Sequence, residues 1–208
     1  MPAAGKSMQP PRLKGGKVTL RPVERGDARL IKKWLNDPEV MPYWGGVTDT
    51  VDDARAAEWV ERFLGANPGL AAVIIEVDGA PAGFIEISGE PDEPNYRHKA
   101  ELDICIGEPA RWEQGLGTDA LLALLLWFFT ETPIVRVFLQ PRAVNERAVH
   151  VYEKVGFRRE GVLRKGEMTD GQLFDTVMMA AIRDEWLSKF RVDRRSDHDR
   201  IADARGST

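Results

Sequence analysis

Residues 112–129 read WEQGLGTDALLALLLWFF, a Gly-x-Gly turn that opens directly into an apolar helix. Glycine loosens the start of a helix and offers nothing to pack, so a helix that begins on two glycines needs its main-chain amides at that point. Free amides and the positive end of the helix dipole favour a bound anion. The stretch therefore predicts a phosphate-binding turn made of Gln114, Gly115, Leu116, Gly117 and Thr118.

Three other interpretations of this turn compete. A Gly-x-Gly turn can simply be a turn without a ligand. GLGTDA also fits the dinucleotide fingerprint G-x-G-x-x-A, but the preceding strand ends several residues before Gly115, and the next strand ends at Gln140 without an acidic residue for a ribose. A P-loop requires a Lys-Ser or Lys-Thr pair after the glycines, and the sequence has none there.

The composition is that of a soluble globular protein. The 208 residues are 43% hydrophobic and 30% charged, which suffices for one domain with a core. A formal net charge of −4 gives no field that favours nucleic acid. The N-terminus lacks the apolar region of a signal peptide, and the longest apolar run, residues 120–129, is too short to cross a bilayer. We expect a cytoplasmic protein without nucleic-acid or membrane partners.

Strand-like and helix-like segments alternate along the chain. Strands are predicted at 17–23, in a hairpin over 70–89 that turns at Asp78-Gly79, and at 99–107, 134–140, 157–166 and 173–182. Helices are predicted at 26–37 with Asp27 as N-cap, at 50–65, after the glycine turn, and at 145–157. Early and late hairpins with helical crossovers between them indicate a mixed sheet.

The flanking segments differ from this pattern. We expect residues 1–16, rich in Gly, Pro and Lys, to form a flexible N-terminal arm. Residues 17–187 form the predicted domain, and residues 188–208 a charged C-terminal tail. The one cysteine, Cys105, excludes an intrachain disulfide, and its apolar neighbours predict a buried structural thiol.

Three stretches resemble the GCN5-related N-acetyltransferase (GNAT) superfamily. ARWEQGLGTDALLALL at 110–125 resembles its pyrophosphate loop and helix. PRAVNERAVHVYEKVGFRREG at 141–161 resembles the following helix, and GVLRKGEMTDGQLFDTVMMAAIRDEW at 161–186 resembles its closing strands. The match covers about residues 17–186. One departure is Trp112, which stands where the family usually has Arg or Gln, with Arg111 one place earlier.

The resemblance implies an α/β (α+β) GNAT fold, with a mixed, mostly antiparallel, twisted sheet flanked by helices. It implies acetyl-CoA as co-substrate and no metal. The strand residues Ile104, Cys105 and Ile106 would offer backbone groups to the pantetheine arm and the thioester oxygen. Residues 114–118 would bind the pyrophosphate, and Asn145 would contact the pantetheine or a bridging water.

Acetyl transfer to an amine also needs a proton donor and a base. The resemblance implies that Tyr152 donates a proton to the thiolate, and the alternative is a core tyrosine packed on the sheet. Glu101 and Asp103 alternate on one strand face, where a carboxylate could take the proton of an ammonium. Asp103 is the first choice for this base, and the alternative is that both are solvent-side residues.

The acceptor site is predicted from WLNDPEVMPYWGG at 34–46, which resembles one wall of that site in the superfamily. Tyr43 and Trp44 would form a flat wall beside a Gly45-Gly46 hinge, or alternatively a hydrophobic staple between two helices. Asp103 would face a cationic acceptor, and Glu86 and Asp175 are second-line candidates for holding it.

Aminoglycoside 6′-N-acetyltransferases are the subfamily that this sequence resembles most, in residues 34–46, in the EQGLGT loop and in Asp103. The resemblance implies an antibiotic-resistance enzyme acting on the primary amine of a small, cationic molecule, as a monomer or homodimer. Siderophore hydroxylysine acyltransferases are an alternative, but their pattern includes a histidine on a central strand. The histidines here are His98, His150 and His198. Ribosomal-protein N-terminal acetyltransferases and a non-enzymatic acyl-CoA-binding sensor are the remaining alternatives.

Overall fold

A computed structural model describes residues 9–44, 50–65, 69–90, 93 and 97–190. The predicted Gly45-Gly46 hinge and residues 191–208 of the predicted tail lie outside this part of the chain. The strands described are β1 (Leu13–Lys14), β2 (Thr19–Pro22), β3 (Leu70–Val77), β4 (Ala80–Ser88), β5 (Lys99–Ile106), β6 (Arg136–Leu139), β7 (Arg158–Thr169) and β8 (Gln172–Ile182). The α-helices described are α1 (Ala28–Trp34), α2 (Met41–Trp44), α3 (Asp53–Leu64), α4 (Leu116–Glu131), α5 (Glu146–Lys154) and α6 (Arg183–Lys189).

All eight strands form one sheet in the order β1-β2-β3-β4-β5-β6-β8-β7. Neighbouring strands are antiparallel except β5 and β6, which run parallel. The prediction of a mixed, mostly antiparallel sheet flanked by helices is therefore confirmed. Both faces of the sheet are covered, which explains why β3 is an almost unbroken apolar run.

The two faces carry different helices. One core contains the buried residues of α4, together with Val149 and Tyr152 of α5. The opposite core contains those of α1, α2 and α3 around Phe84. Because consecutive strand residues point to opposite faces, β5 contributes Leu102 to the first core and Cys105 to the second.

The parallel strands β5 and β6 pair over only three residues. Lys99, Ala100 and Glu101 oppose residues 136–138, whereas β5 stays paired with β4 as far as Ile106. Residues 102–106 therefore lie beyond the last ladder pair with β6. This opening between two central strands positions the site described below.

The N-terminal arm prediction is wrong for residues 9–16. Leu13 and Lys14 pair with β2 through a tight turn at Gly15 and Gly16. The Asp119 carboxylate in α4 accepts the amides of Gly16, Lys17 and Val18 at 3.1, 2.6 and 3.0 Å. The composition of the arm could not reveal this anchor, because its partner lies about a hundred residues along the chain.

Two helices differ from the expected pattern. α2 was not predicted and forms although it contains Pro42, because proline is tolerated in the first turn of a helix, where no amide donor is needed. α6 follows directly after the strand predicted at 173–182, where no helix was predicted, and its last two residues lie in the predicted tail; its Trp186 indole donates to the carbonyl of Val155 at 2.8 Å.

Asp27 also differs in its role. It precedes α1 as predicted, but its carboxylate accepts the Glu24 amide at 2.8 Å and two bonds of 2.7 Å from Arg21.

No α-helix in the described ranges is long and apolar enough to cross a bilayer.

Candidate active site

A cavity of about 330 Å³ opens where β5 and β6 separate. Both the even-numbered Leu102, Ile104 and Ile106 and the odd-numbered Asp103 and Cys105 line it, so it reaches both faces of the sheet. It brings together most of the predicted site, namely Tyr43, Trp44, Asp103, Ile104, Cys105, Ile106, Gly115, Leu116, Gly117, Thr118, Asn145 and Tyr152.

The glycine turn has the geometry of an anion cradle. Gly115 precedes α4 in the left-handed region, with φ at +76°, a conformation that favours glycine. The amides that follow it start the helix and have no intrahelical acceptor. A Cβ on Gly117 would make ordinary van der Waals contact with the side chains of Ile104 and Ile106, 3.8 and 4.0 Å away, without a clash. These observations fit a bound diphosphate.

The turn is held from outside the cavity. Lys17 Nζ donates to the carbonyl of Gln114 at 2.7 Å, and Asp119 in the first turn of α4 ties the same N-terminal segment down. The Gln114 side chain donates to the carbonyl of Ala110 at 3.0 Å. Gln114 does not line the cavity, so the structure places this predicted cofactor residue on the outer side of the turn.

Tyr152 lies against the cavity and is 8% exposed. Burial raises the pKa of its phenol, and the charge of Asp103 raises that pKa further. Tyr152 therefore stays protonated at and well above neutral pH, as a proton donor must. Asn145 begins α5, and its side-chain oxygen accepts the amide of Ala148 at 3.1 Å, which fixes the helix that carries Tyr152.

Asp103 is exposed to solvent where it lines the cavity, although much of the volume around its carboxylate is protein. Burial raises the pKa of this carboxyl to about 7, with further contributions from the charges of Glu86, Glu101 and Glu167. The Asp103 carboxyl therefore gains and loses its proton near neutral pH.

Glu86 and Glu101 do not line the cavity, although both contribute to the electrostatic environment of Asp103. Glu86 is the cross-strand partner of Asp103 and accepts the Trp59 indole proton at 2.7 Å. Glu101 accepts from the side-chain amide of Gln140 at 3.0 Å.

Among the residues that the structure describes, no three His, Cys, Asp or Glu side chains are grouped as metal ligands.

Cys105 is 4% exposed and carries a free thiol. Burial raises its pKa, with smaller contributions from Glu86 and Asp37, so the group stays a neutral thiol. The prediction that this thiol is buried is confirmed.

Tyr43, Trp112 and Arg147 form a cluster that lines the cavity. Of these three, the sequence predicted only Tyr43 as a site residue. The Arg147 guanidinium lies 4.4 Å from the ring centroid of Trp112 and 5.1 Å from that of Tyr43. Trp112, the departure from the family pattern, also donates to the carbonyl of Ile106 at 2.8 Å. Trp44 instead packs edge-on against Phe84 of β4 at 4.9 Å, whereas Tyr43 packs edge-on against Trp112 at 6.1 Å.

Arg142 and Glu167 line the cavity and were not predicted. Arg142 donates to Glu167 Oε1 and to the carbonyl of Pro42, which links β7 to α2. Arg142 could have been found, because it follows β6 directly within a motif that resembles the family. Glu167 has no such signal, since its position depends on an irregularity in β7.

Asp175 is not brought to the cavity. Its carboxylate accepts the amide of Lys165 at 2.8 Å, on the exposed side of the β7–β8 hairpin. The structure therefore separates this residue from the other predicted acceptor residues.

The fold and site match one family of known proteins. Residues 17–158 match the sequence profile described as the Acetyltransferase (GNAT) domain. The chain belongs to this family of acetyltransferases and is an acetyl-CoA-dependent N-acetyltransferase, as the sequence predicted.

Two kinds of acetyltransferase are similar to this chain. The spermidine N(1)-acetyltransferase of Escherichia coli (strain K12) is 29% identical over 183 residues, which cover 84% of this chain and 90% of that protein. The aminoglycoside N(6′)-acetyltransferase type 1 of Klebsiella pneumoniae is 28% identical, covering 70% and 76%. The structure of spermidine N-acetyltransferase from Vibrio cholerae in complex with CoA and spermine aligns with a TM-score of 0.71 at 25% identity, covering 82% and 98%.

Proposed function

We propose that the enzyme transfers an acetyl group from acetyl-CoA to a primary amine of a small polycation, and that a linear polyamine of the spermidine type fits best. The observation that carries this proposal is the carboxylate group around Asp103. Glu86, Glu101 and Glu167 all raise the pKa of Asp103, so their negative fields overlap at the cavity. Such a field concentrates and orients a cation with several ammonium groups.

The size of the cavity favours a slim acceptor. At about 330 Å³ the cavity lies near the lower end of the range of about 300–1,000 Å³ for small-molecule sites. It must also accept the pantetheine arm, so an extended chain fits better than several linked rings. An aminoglycoside 6′-amine is the second candidate, supported by the 28% identity to an aminoglycoside acetyltransferase.

The residues around the cavity suit the two halves of the co-substrate. The main-chain amides of Leu116, Gly117 and Thr118 bind the diphosphate at the start of α4. The edge of β5 at residues 102–106, beyond its last pair with β6, binds the pantetheine arm. Acetyl-CoA supplies an acyl group activated as a thioester.

Asp103 prepares the acceptor. A primary amine with a pKa of about 10 is protonated at neutral pH and cannot attack a carbonyl carbon. Asp103, with a pKa of about 7, removes the ammonium proton more effectively than an ordinary aspartate would. An amide of β5 donates to the carbonyl oxygen on which negative charge develops.

Tyr152 completes the transfer by donating its phenolic proton to the sulfur as the carbon–sulfur bond breaks. Its pKa is raised by burial, which by itself makes donation harder. The same surroundings raise the pKa of the buried Cys105 thiol, so a thiolate formed in this cavity is also strongly basic. The two effects offset one another.

An acceptor panel tests the proposed function. Purified protein with acetyl-CoA is assayed for thiol release with spermidine, spermine, a kanamycin-type aminoglycoside, butylamine, hydroxylysine and an N-terminal peptide. We expect kcat/KM to be highest for the polyamines and lower for the aminoglycoside. A preference for the peptide, hydroxylysine or the monoamine would contradict the proposal.

A second test concerns the phosphate cradle. Gly117→Ala should weaken CoA binding about tenfold or more, because the added methyl group occupies space next to the amides, and overpacking costs about 1–3 kcal/mol. Its backbone is helical, so the thermal midpoint should stay the same or rise. Titration calorimetry and thermal melts measure the two effects.

Gly26→Ala is the matched control for that variant. In the part of the chain that the structure describes, no atom apart from those of its chain neighbours lies within 4 Å of a Cβ at Gly26, and this glycine is not among the residues that line the cavity. It should leave CoA affinity unchanged. Equal CoA affinity of Gly117→Ala and wild type would rule out the cradle.

A further inference from the structure

Glu167 owes its place at the cavity to an irregularity in β7. The pairing of β7 with β8 shifts register between Leu163 and Glu167. Lys165 within this bulge adopts a positive φ of 54°, and its amide is held by the Asp175 carboxylate at 2.8 Å. A bulge of this kind redirects the side chains that follow it. Asp175 therefore holds the bulge that precedes Glu167.

Only one of the two carboxylate oxygens of Glu167 accepts hydrogen bonds from the described residues. Oε1 accepts from Arg142 Nε at 2.9 Å, from Arg142 Nη2 at 2.5 Å and from the Thr169 hydroxyl at 2.7 Å. Within the described ranges, no donor lies within hydrogen-bond distance of Oε2. The residue lines the cavity, so its carboxylate lies within reach of a ligand bound there.

Glu167 is also charged and electrostatically close to the base. Burial alone would raise its pKa, but the hydrogen bonds from Arg142 and Thr169 outweigh burial and lower the pKa below its ordinary value. Its charge contributes to the raised pKa of Asp103. Two carboxylates from different parts of the sheet, one on β5 and one on β7, therefore face the same cavity.

We propose that Glu167 binds a second ammonium group of the acceptor through Oε2, while Asp103 faces the amine that reacts. This inference rests on the proposed function and narrows it. The acceptor is held at two points, so the enzyme selects diamines and polyamines over monoamines. Arg142 and Thr169 act as positioning residues that fix the orientation of the Glu167 carboxylate.

Glu167→Gln tests this role with little change of shape. The glutamine oxygen can still accept from Arg142 and Thr169, whereas an NH₂ group replaces Oε2 and opposes an ammonium ion. We expect KM for spermidine to rise about tenfold to a hundredfold, the usual size of losing a hydrogen bond to a charged group, with kcat within about twofold. For butylamine, kcat/KM should stay unchanged at pH 8, where Asp103 is mostly ionised in both enzymes.

Glu160→Gln is the matched control. Glu160 lies on the same strand and pairs with Arg136, and it is not among the residues that line the cavity, so KM for every amine should stay at the wild-type value. Thermal melts establish that each variant is folded. Wild-type enzyme gives an independent test that needs no variant, because a diamine should exceed a monoamine of equal length by about tenfold or more in kcat/KM.

The outcomes separate the two proposals. If wild-type enzyme acetylates spermidine and folded Glu167→Gln keeps the same KM, the role of Glu167 is wrong while the proposed function stands. Equal kcat/KM for the diamine and the monoamine with wild-type enzyme would likewise overturn the two-point binding. If no polyamine or aminoglycoside is acetylated by the wild type, the proposed function fails and this inference fails with it.

Discussion

Replacement of Asp103 by asparagine is expected to lower kcat/KM for the amine about a hundredfold or more at neutral pH, the usual size of a general-base contribution. The wild-type profile of kcat/KM should rise with pH through about 7, because the Asp103 carboxyl must lose its proton before it can act as base. Asparagine cannot accept this proton, so the limb near pH 7 should disappear. Initial rates of thiol release across the pH range measure both effects.

Asp53→Asn is the control for this experiment. Asp53 begins α3, its side chain is 89% exposed, and it pairs with Lys32 on the surface. This control should keep the wild-type rate and profile. An Asp103→Asn enzyme that retains the rising limb would show that another group is the base.

The same substitution should stabilise the protein at alkaline pH. A folded-state pKa raised from 3.8 to about 7 means that the folded protein binds this proton more tightly than the unfolded chain. The free energy of unfolding therefore falls as pH rises from about 4 to 7. The thermal midpoint of Asp103→Asn should exceed that of the wild type at pH 8, and the difference should vanish below pH 4.

Tyr152→Phe is expected to lower kcat roughly ten to a thousandfold, with little change in CoA affinity. The variant removes only the hydroxyl group. The ring that packs 6.0 Å from Phe157 and belongs to the buried core is retained. Single-turnover rates of acetyl transfer and calorimetric CoA titrations separate chemistry from binding. An unchanged kcat would remove Tyr152 from the mechanism.

The elements that the sequence predicted well are those with local causes. The glycine turn, the Asn145 cap and the alternating residues of β5 each depend on neighbours within one or two turns or strand repeats. Hydrophobic periodicity and local start and stop signals were enough to predict most strands, the helices α1, α3, α4 and α5, and the mixed sheet. The family match at residues 17–158 confirmed the enzyme class.

The acceptor side was predicted less well, because contacts between distant segments build it. Glu86 and Asp175 had the right charge, but neither lines the cavity, and Asp175 holds a bulge instead. Glu167 was missed because it reaches the cavity through that bulge. The N-terminal segment was predicted to be a flexible arm. In the structure, Asp119 accepts hydrogen bonds from three of its amides.

The sequence by itself therefore determined the enzyme class and the proposed phosphate, donor and base residues, since a helix start, a cap and a strand face are properties of short segments. Only the tertiary structure decided which carboxylates share the cavity and what pKa they acquire. Those properties depend on burial and on charges that meet across the sheet, as when Glu167 on β7 comes close enough to raise the pKa of Asp103 on β5.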